Sequence, residues 1–222
     1  MKYRCLVFDH DDTTVNSTAT IHQPCFEQFL NEYYPSRHCS LEDYFIKNFS
    51  PGFLSMCRDE YGMSDEMIEV EGAYWMRYVR DRTPEAYPGI REIMQKHRRG
   101  GGRIAVISHS FRENILRDYA ANGLPEPDLI FGWEMPPDKR KPSPWPLQEV
   151  LNRLSLTPEE VLMIDDLKPG YDMARACGVP FAAAGWANDI PEIEHFMRRN
   201  CSLYFKHVSE LDRYLDDGTE DK

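Results

Sequence analysis

At 222 residues, the chain exceeds the ~100–150 residues of a usual single domain and fits one core with a sizeable insertion. Its 41% hydrophobic and 28% charged residues are an ordinary globular balance, and its net charge of -11 excludes general binding to nucleic acid or to anionic membranes. No apolar run approaches the ~20 residues needed to span a bilayer. The first residues lead straight into a strand pattern with no signal-peptide pattern. The six cysteines (Cys5, Cys25, Cys39, Cys57, Cys177, Cys201) are scattered, with no Cys-x-x-Cys pair. These features predict a reduced, cytoplasmic setting without disulfides or a zinc site. Cys5 and Cys177 fall in apolar patterns and read as small core residues.

The first element is a buried strand ending at Phe8, which runs into Asp9-His10-Asp11-Asp12-Thr13. From there to about Pro84 the pattern is helical. Phe26, Phe29, Leu30 and Tyr33 form an i, i+3, i+4, i+7 stripe over Gln23–Tyr34. Leu41–Phe49 is a second helix, Pro51-Gly52 breaks it, and Phe53–Tyr61 begins a third. Ser64 caps a fourth that passes Tyr74, Trp75 and Tyr78. Pro84–Gly89 is a return linker.

Strands and helices then alternate. Helices are predicted over Ile90–Arg99, Phe111–Asn122 (capped by Ser110), Pro146–Leu154, Tyr171–Cys177, Ile190–Arg199 and Ser209–Leu215. Strands are predicted over Ile104–Ile107, Leu129–Phe131, Val161–Ile164, Pro180–Ala184 and Leu203–Phe205. Asp216–Lys222 reads as an acidic end that frays. Such alternation implies right-handed crossovers and a parallel sheet covered by helices on both faces.

Polar groups gather where strands end. Asp9 and Asp11 follow the first strand, Ser108-His109-Ser110 the second, and Asp165-Asp166 the run Val161–Ile164. Lys141-Pro142-Ser143-Pro144 precedes a helix. In open α/β sheets, ligands bind outside the carboxyl ends of the strands. One of the first two carboxylates can attack a substrate while the other handles protons. Further carboxylates hold a hard cation such as Mg2+, while a hydroxyl and an ammonium hold phosphate oxygens.

The order Asp-x-Asp-x-Thr, strand-Ser, Lys-Pro-x-Pro, strand-Asp-Asp resembles the haloacid dehalogenase superfamily of hydrolases, from Tyr3 to about Gly185. The resemblance implies a Rossmann-like, three-layer α/β/α core over residues 1–15 and 85–222, with an inserted helical cap over residues 16–84. It also implies a Mg2+-dependent phosphatase acting on a small phosphorylated metabolite, similar to phosphoglycolate phosphatases and sugar-phosphate phosphatases, as a monomer or homodimer. Asp9 is then the nucleophile and forms an aspartyl-phosphate. Asp11 is general acid and then general base, and its backbone carbonyl is a metal ligand. Lys141 neutralises Asp9 and the phosphate, with Lys139 and Arg140 left in a solvated basic patch.

Ser108 holds the transferring phosphoryl group; Ser110 is the rival for that role, and Ser108 is preferred because it directly ends the strand while Ser110 suits a helix cap. His109, beside it, is a candidate phosphate contact that reads first as an exposed loop histidine. Asp166 is a metal ligand, and Asp165 a ligand or the support of one. Asp172 reads as a surface acid. In the cap, Asn16, Ser17 and His22 are candidate pocket residues as well as ordinary hinge residues. The chain departs from the family at Asp12, where glycine is usual, and at Gly170, where a further acid is usual. Glycine tolerates positive φ, and aspartate is among the more tolerant replacements. A phosphosugar mutase of the same superfamily remains open, to be separated by whether a hexose 1-phosphate yields 6-phosphate or free phosphate. A non-catalytic phosphate-binding protein also remains open, and p-nitrophenyl phosphate turnover separates it.

Overall fold

The computed structural model describes residues 2–217. The chain divides into two compact units, one made of the residues up to Val15 and those from Glu85 on, the other of Asn16–Pro84.

The inserted unit is helical: α1 Gln23–Tyr33, α2 Leu41–Phe49, α3 Phe53–Ser55 and α4 Asp65–Val79. Wider π-helical turns lead into α1 over Thr18–His22 and extend α3 over Met56–Glu60, so the segment from Phe53 is a short α turn prolonged by a wider one. Ser40 and Ser64 cap α2 and α4, each accepting a backbone N–H three residues on. The α1 stripe buries Phe26, Phe29 and Leu30, while Tyr33 stays partly exposed. Phe26 is the hub, its ring meeting Tyr44, Phe53 and Tyr61 edge-on at 5.3–5.8 Å.

The other unit carries β1 Cys5–Phe8, α5 Ile90–Arg99, β2 Arg103–Ile107, α6 Arg112–Ala121, β3 Leu129–Phe131, α7 Trp145–Leu154, β4 Val161–Asp165, α8 Lys168–Cys177, β5 Phe181–Ala184, α9 Pro191–Asn200, β6 Leu203–Phe205 and α10 Val208–Asp216. The six strands form one sheet in the order β3-β2-β1-β4-β5-β6, with every pairing parallel. Leu6, Phe8, Ile104, Val106, Leu162 and Ile164 point to one face and pack with Ile90, Met94, Ile115, Tyr119 and Leu211 from α5, α6 and α10. Their alternates Cys5, Val7, Ala105, Ile107, Val161 and Met163 are buried as well, so both faces are covered. That is why these strands read as continuous apolar runs. The result is a three-layer α/β core of Rossmann-like order, with the topological switch between β1 and β4.

Several local expectations shift. α6 starts at Arg112 after Phe111, and its first N–H is met by Glu134 Oε2 (3.1 Å) from further along the chain; Ser110 is engaged elsewhere. α8 starts at Lys168, ahead of Tyr171, because Pro169 suits a first helical turn where its missing N–H costs nothing. β4 runs through Asp165. Cys5 is fully buried, but Cys177 is only half-buried, its Sγ donating to the Pro144 carbonyl. Asp216 closes α10 and pairs with Lys96 instead of fraying; residues 218–222 of that acidic end lie outside the described residues.

Candidate active site

The first acid-bearing loop is folded by its own backbone. Asp9 N donates to the Ile164 carbonyl (2.9 Å), which carries the β1–β4 pairing one residue past the strand. The His10 carbonyl then accepts from both Thr14 N (2.9 Å) and Val15 N (3.0 Å), and Thr14 Oγ1 donates to the Asp9 carbonyl (2.7 Å). A turn this tight puts Asp12 at φ 58°, in the left-handed region. The position therefore has the conformation for which glycine is the ordinary choice, and aspartate occupies it while 4% exposed.

β4 ends beside β1, so Asp9, Asp165 and Asp166 converge, with one carboxylate oxygen from each within 4.8 Å of the others. All three are buried. Lys141 reaches in from the loop before α7. Its Nζ donates to Asp165 Oδ2 at 2.7 Å and lies 2.9 Å from Asp9 Oδ1. Leu167 N donates to Asp165 Oδ1 (2.8 Å), and Thr13 Oγ1 donates to Asp166 Oδ1 (3.1 Å).

The β2 end adds a second cluster. Ser108 is buried, and its Oγ accepts from Ser110 N at 3.1 Å. Ser110 Oγ donates to Asp11 Oδ2 at 2.6 Å. Ser110 is therefore a partner of Asp11, not a helix cap, because the acid offers a stronger, charge-assisted bond than a helix N–H. The Asp11 carboxylate lies outside the three-acid group.

His109 is half-buried, not an exposed loop residue. Its Nε2–H donates to the Lys141 carbonyl (3.0 Å), and its ring meets Trp133 edge-on. Burial, helped by the Lys141 charge, pushes its pKa down to about 4, so it is neutral at pH 7. Arg140 does not belong to a solvated patch either. Its Nε donates to the Met135 carbonyl (2.6 Å), and its guanidinium lies over Trp133, 4.0 Å from the ring centroid. Lys139 stands over the Trp145 ring. Asp172 pairs with Lys168 along α8. In the helical unit Ser17 is buried, and His22 Nδ1 accepts from Trp75 Nε1–H (2.9 Å).

Residues 6–184 match the family model of haloacid dehalogenase-like hydrolases. The chain belongs to that family. Pyrophosphatase PpaX of Halalkalibacterium halodurans is 24% identical over 191 residues, 84% of this chain and 86% of its own. A phosphoglycolate phosphatase of Nitrosospira multiformis is 34% identical over 96 residues, 42% of this chain and 41% of its own. The fold is shared with a haloacid dehalogenase-like family hydrolase of Streptococcus pneumoniae, at TM-score 0.76 and 16% identity, with 96% of this chain and 99% of that one covered.

Within this hydrolase, charge bookkeeping tests whether a metal fits. One ammonium faces three buried carboxylates. Burial raises the Asp165 pKa to about 7, with Lys141 opposing and Asp9 adding to the rise. Burial also holds Asp166 well above the ordinary range, reinforced by Asp12, Asp165 and Asp9. Burial works against the charge of Lys141, but Asp165 and Asp9 outweigh it and lift its pKa. Asp9 Oδ1 is buried and takes no aligned hydrogen bond. An all-oxygen donor set with unrelieved negative charge suits a hard divalent cation, so the residues fit Mg2+.

Three features escaped the sequence reading. Thr13 orients Asp166; its place in the Asp-x-Asp-x-Thr pattern was the available signal. Gly170 is packed against Asp165: a Cβ there would stand 2.1 Å from Asp165 Oδ2. The position that usually holds an acid thus has no room for any side chain. The third is His10, whose partner Asp118 lies far away in sequence.

Proposed function

We propose that the chain is a Mg2+-dependent phosphomonoester hydrolase that works through an aspartyl-phosphate on Asp9. The observation that carries this reading is the meeting of Asp9, Asp165 and Asp166 around Lys141 at the adjoining ends of β1 and β4. A Mg2+ held by Asp9, Asp166 and the Asp11 carbonyl would supply positive charge where nucleophile and phosphate repel each other. Asp165, bound to Lys141, supports the set by fixing that lysine.

The Asp9 carboxylate attacks phosphorus, and the bond from phosphorus to the leaving oxygen breaks. Asp11 gives the leaving oxygen its proton. Asp11 then takes a proton from water as that water attacks the aspartyl-phosphate, releasing phosphate and restoring Asp9. Ser110 holds Asp11 in a set direction for both transfers. Ser108 and the Lys141 ammonium hold phosphoryl oxygens. His109, neutral and bound to the Lys141 carbonyl, braces the lysine loop instead of carrying charge to the phosphate.

Residues 16–84 act as the cap that selects the leaving group. The substrate is a small phosphorylated metabolite. The names of the relatives put inorganic pyrophosphate and phosphoglycolate first among those to try. Cytoplasmic action accords with six free cysteines; no helix among the described residues is long and apolar enough to cross a membrane. The test is phosphate release from a panel holding phosphoglycolate, pyrophosphate and sugar phosphates. Turnover of some members with Mg2+ and none in chelator is expected. Turnover unaffected by chelator, or none on any ester including p-nitrophenyl phosphate, overturns the reading.

A further inference from the structure

The residue between Asp9 and Asp11 is a buried histidine, 1% exposed. Its Nε2–H donates to Asp118 Oδ2 on α6 at 3.1 Å. Asp118 is 3% exposed and is held from its other side by Arg117, whose Nε and Nη2 approach Oδ1 at 2.9 and 2.8 Å. The His10 ring also stacks on Tyr119, with centroids 5.9 Å apart. Its carbonyl is the acceptor on which the turn closes, through Thr14 N and Val15 N. So both ends of this one residue are fixed: the backbone by the turn, the side chain by a helix on one face of the sheet.

A buried, charged hydrogen-bonded group adds little net stability, because its desolvation offsets its attraction; its attested use is to fix a register. An apolar residue would fill the space beside Tyr119 with less desolvation. What apolar packing does not supply is a directional tie. The tie acts on the backbone from which Asp9 and Asp11 project, one residue to each side. In-line attack requires that backbone to hold Asp9 within a few tenths of an ångström, and a ~1 Å misplacement costs ~100-fold in rate.

We propose that His10 is a positioning residue for the nucleophile, locking the Asp9–Asp11 turn to α6 through its hydrogen bond to Asp118. The proposal rests on Asp9 being the nucleophile, and the experiment separates the two. Hydrolysis of p-nitrophenyl phosphate with Mg2+ is measured for His10→Phe, His10→Gln, Asp118→Ala and Asp9→Asn. Inhibition by inorganic phosphate reports ground-state binding, and thermal unfolding reports folding. His10→Phe should lower kcat ~100-fold while the phosphate inhibition constant moves less than about threefold. Glutamine carries an N–H of similar reach to Nε2, so His10→Gln should recover most of that loss. Asp118→Ala removes the same bond from the helix side and should match His10→Phe. It carries the test should His10→Phe fail to fold, since Arg117 is part-exposed and can turn to solvent.

Equal losses for His10→Phe and His10→Gln would overturn the proposal, because the bond would then not be what matters. Wild-type kcat in Asp118→Ala would overturn it too. Turnover retained by Asp9→Asn strikes instead at the nucleophile assignment.

Discussion

Glu71 offers a test in the helical unit, away from the reacting groups. It sits on α4 with 5% exposure, and burial raises its pKa from 4.5 to about 7, with His22 opposing the shift. Its other titratable neighbours are Cys25, Cys57 and Tyr44, on whose pKa values its charge acts. Burial pushes the Cys25 thiol up to about 12 and raises Cys57 and Tyr44 as well, so these three stay neutral near pH 7. Glu71 binds its proton more tightly folded than unfolded. Its contribution is therefore complete below pH 4.5 and is lost as the pH rises to about 7. At about 1.4 kcal/mol per pH unit, the loss amounts to about 3 kcal/mol. Glu71→Gln keeps the shape and removes the ionisation. In urea unfolding at pH 5 and pH 8, the wild type should lose about 2–3 kcal/mol more than Glu71→Gln does. Taking the difference cancels the other titrating groups common to both proteins. Parallel pH dependences for the two proteins would refute the reasoning, and would mean that the Glu71 carboxyl reaches water in the folded state.

Gly170→Ala places a methyl 2.1 Å from Asp165 Oδ2; the carboxylate must swing away from Lys141, and kcat on p-nitrophenyl phosphate should fall at least ~10-fold. Lys141→Met leaves Asp9 and Asp165 buried without their cation. It should abolish turnover and cost about 3–5 kcal/mol in denaturant unfolding at pH 8, and less at pH 5, where Asp165, already raised by burial and now without the opposing lysine, takes up a proton. Asp9→Asn should give no phosphoenzyme in acid-quenched samples. Asp11→Asn should still form one from esters with good leaving groups, which need no proton, and should hydrolyse it slowly. Chelation should stop turnover reversibly, and added Mg2+ should raise the unfolding temperature of the wild type more than that of Asp166→Asn.

The strands were legible because burial on both sheet faces leaves an uninterrupted apolar run, as in Leu6–Phe8 and Val161–Ile164. The groups at their ends were legible because a chain leaving such a strand must find polar partners or water. Direction was harder to read. Ser110 has the residue type and place of a helix cap, and only the fold brings Asp11 to it from the first loop. The predicted helix begins at Tyr171, after Pro169 and Gly170, but proline fits the first turn of α8, and glycine is set by contact with Asp165 across that turn. His10 and Asp118 lie 108 positions apart and have no local signature at all. Residue types near strand ends can be read from a sequence; which oxygen each donor faces depends on long-range packing.

The bridge between Val15 and Ala86 has a consequence for how such a protein can change. These residues pair antiparallel, and Tyr87 N donates to the Thr14 carbonyl (3.1 Å). Ala86 N also donates to Asn122 Oδ1 (2.8 Å), at the residue that ends α6. The two crossings are thus stitched together on the core side, like the stem of a hairpin. To the sheet, everything from Asn16 to Pro84 is a closed loop whose ends already meet. Closure entropy grows only slowly with loop length, each doubling adding ~0.6 kcal/mol. Inserts of other lengths and sequences can therefore be exchanged at this stem at small cost to the core. Evolution, or an engineer grafting a different insert, can then revise one unit while the other keeps its register.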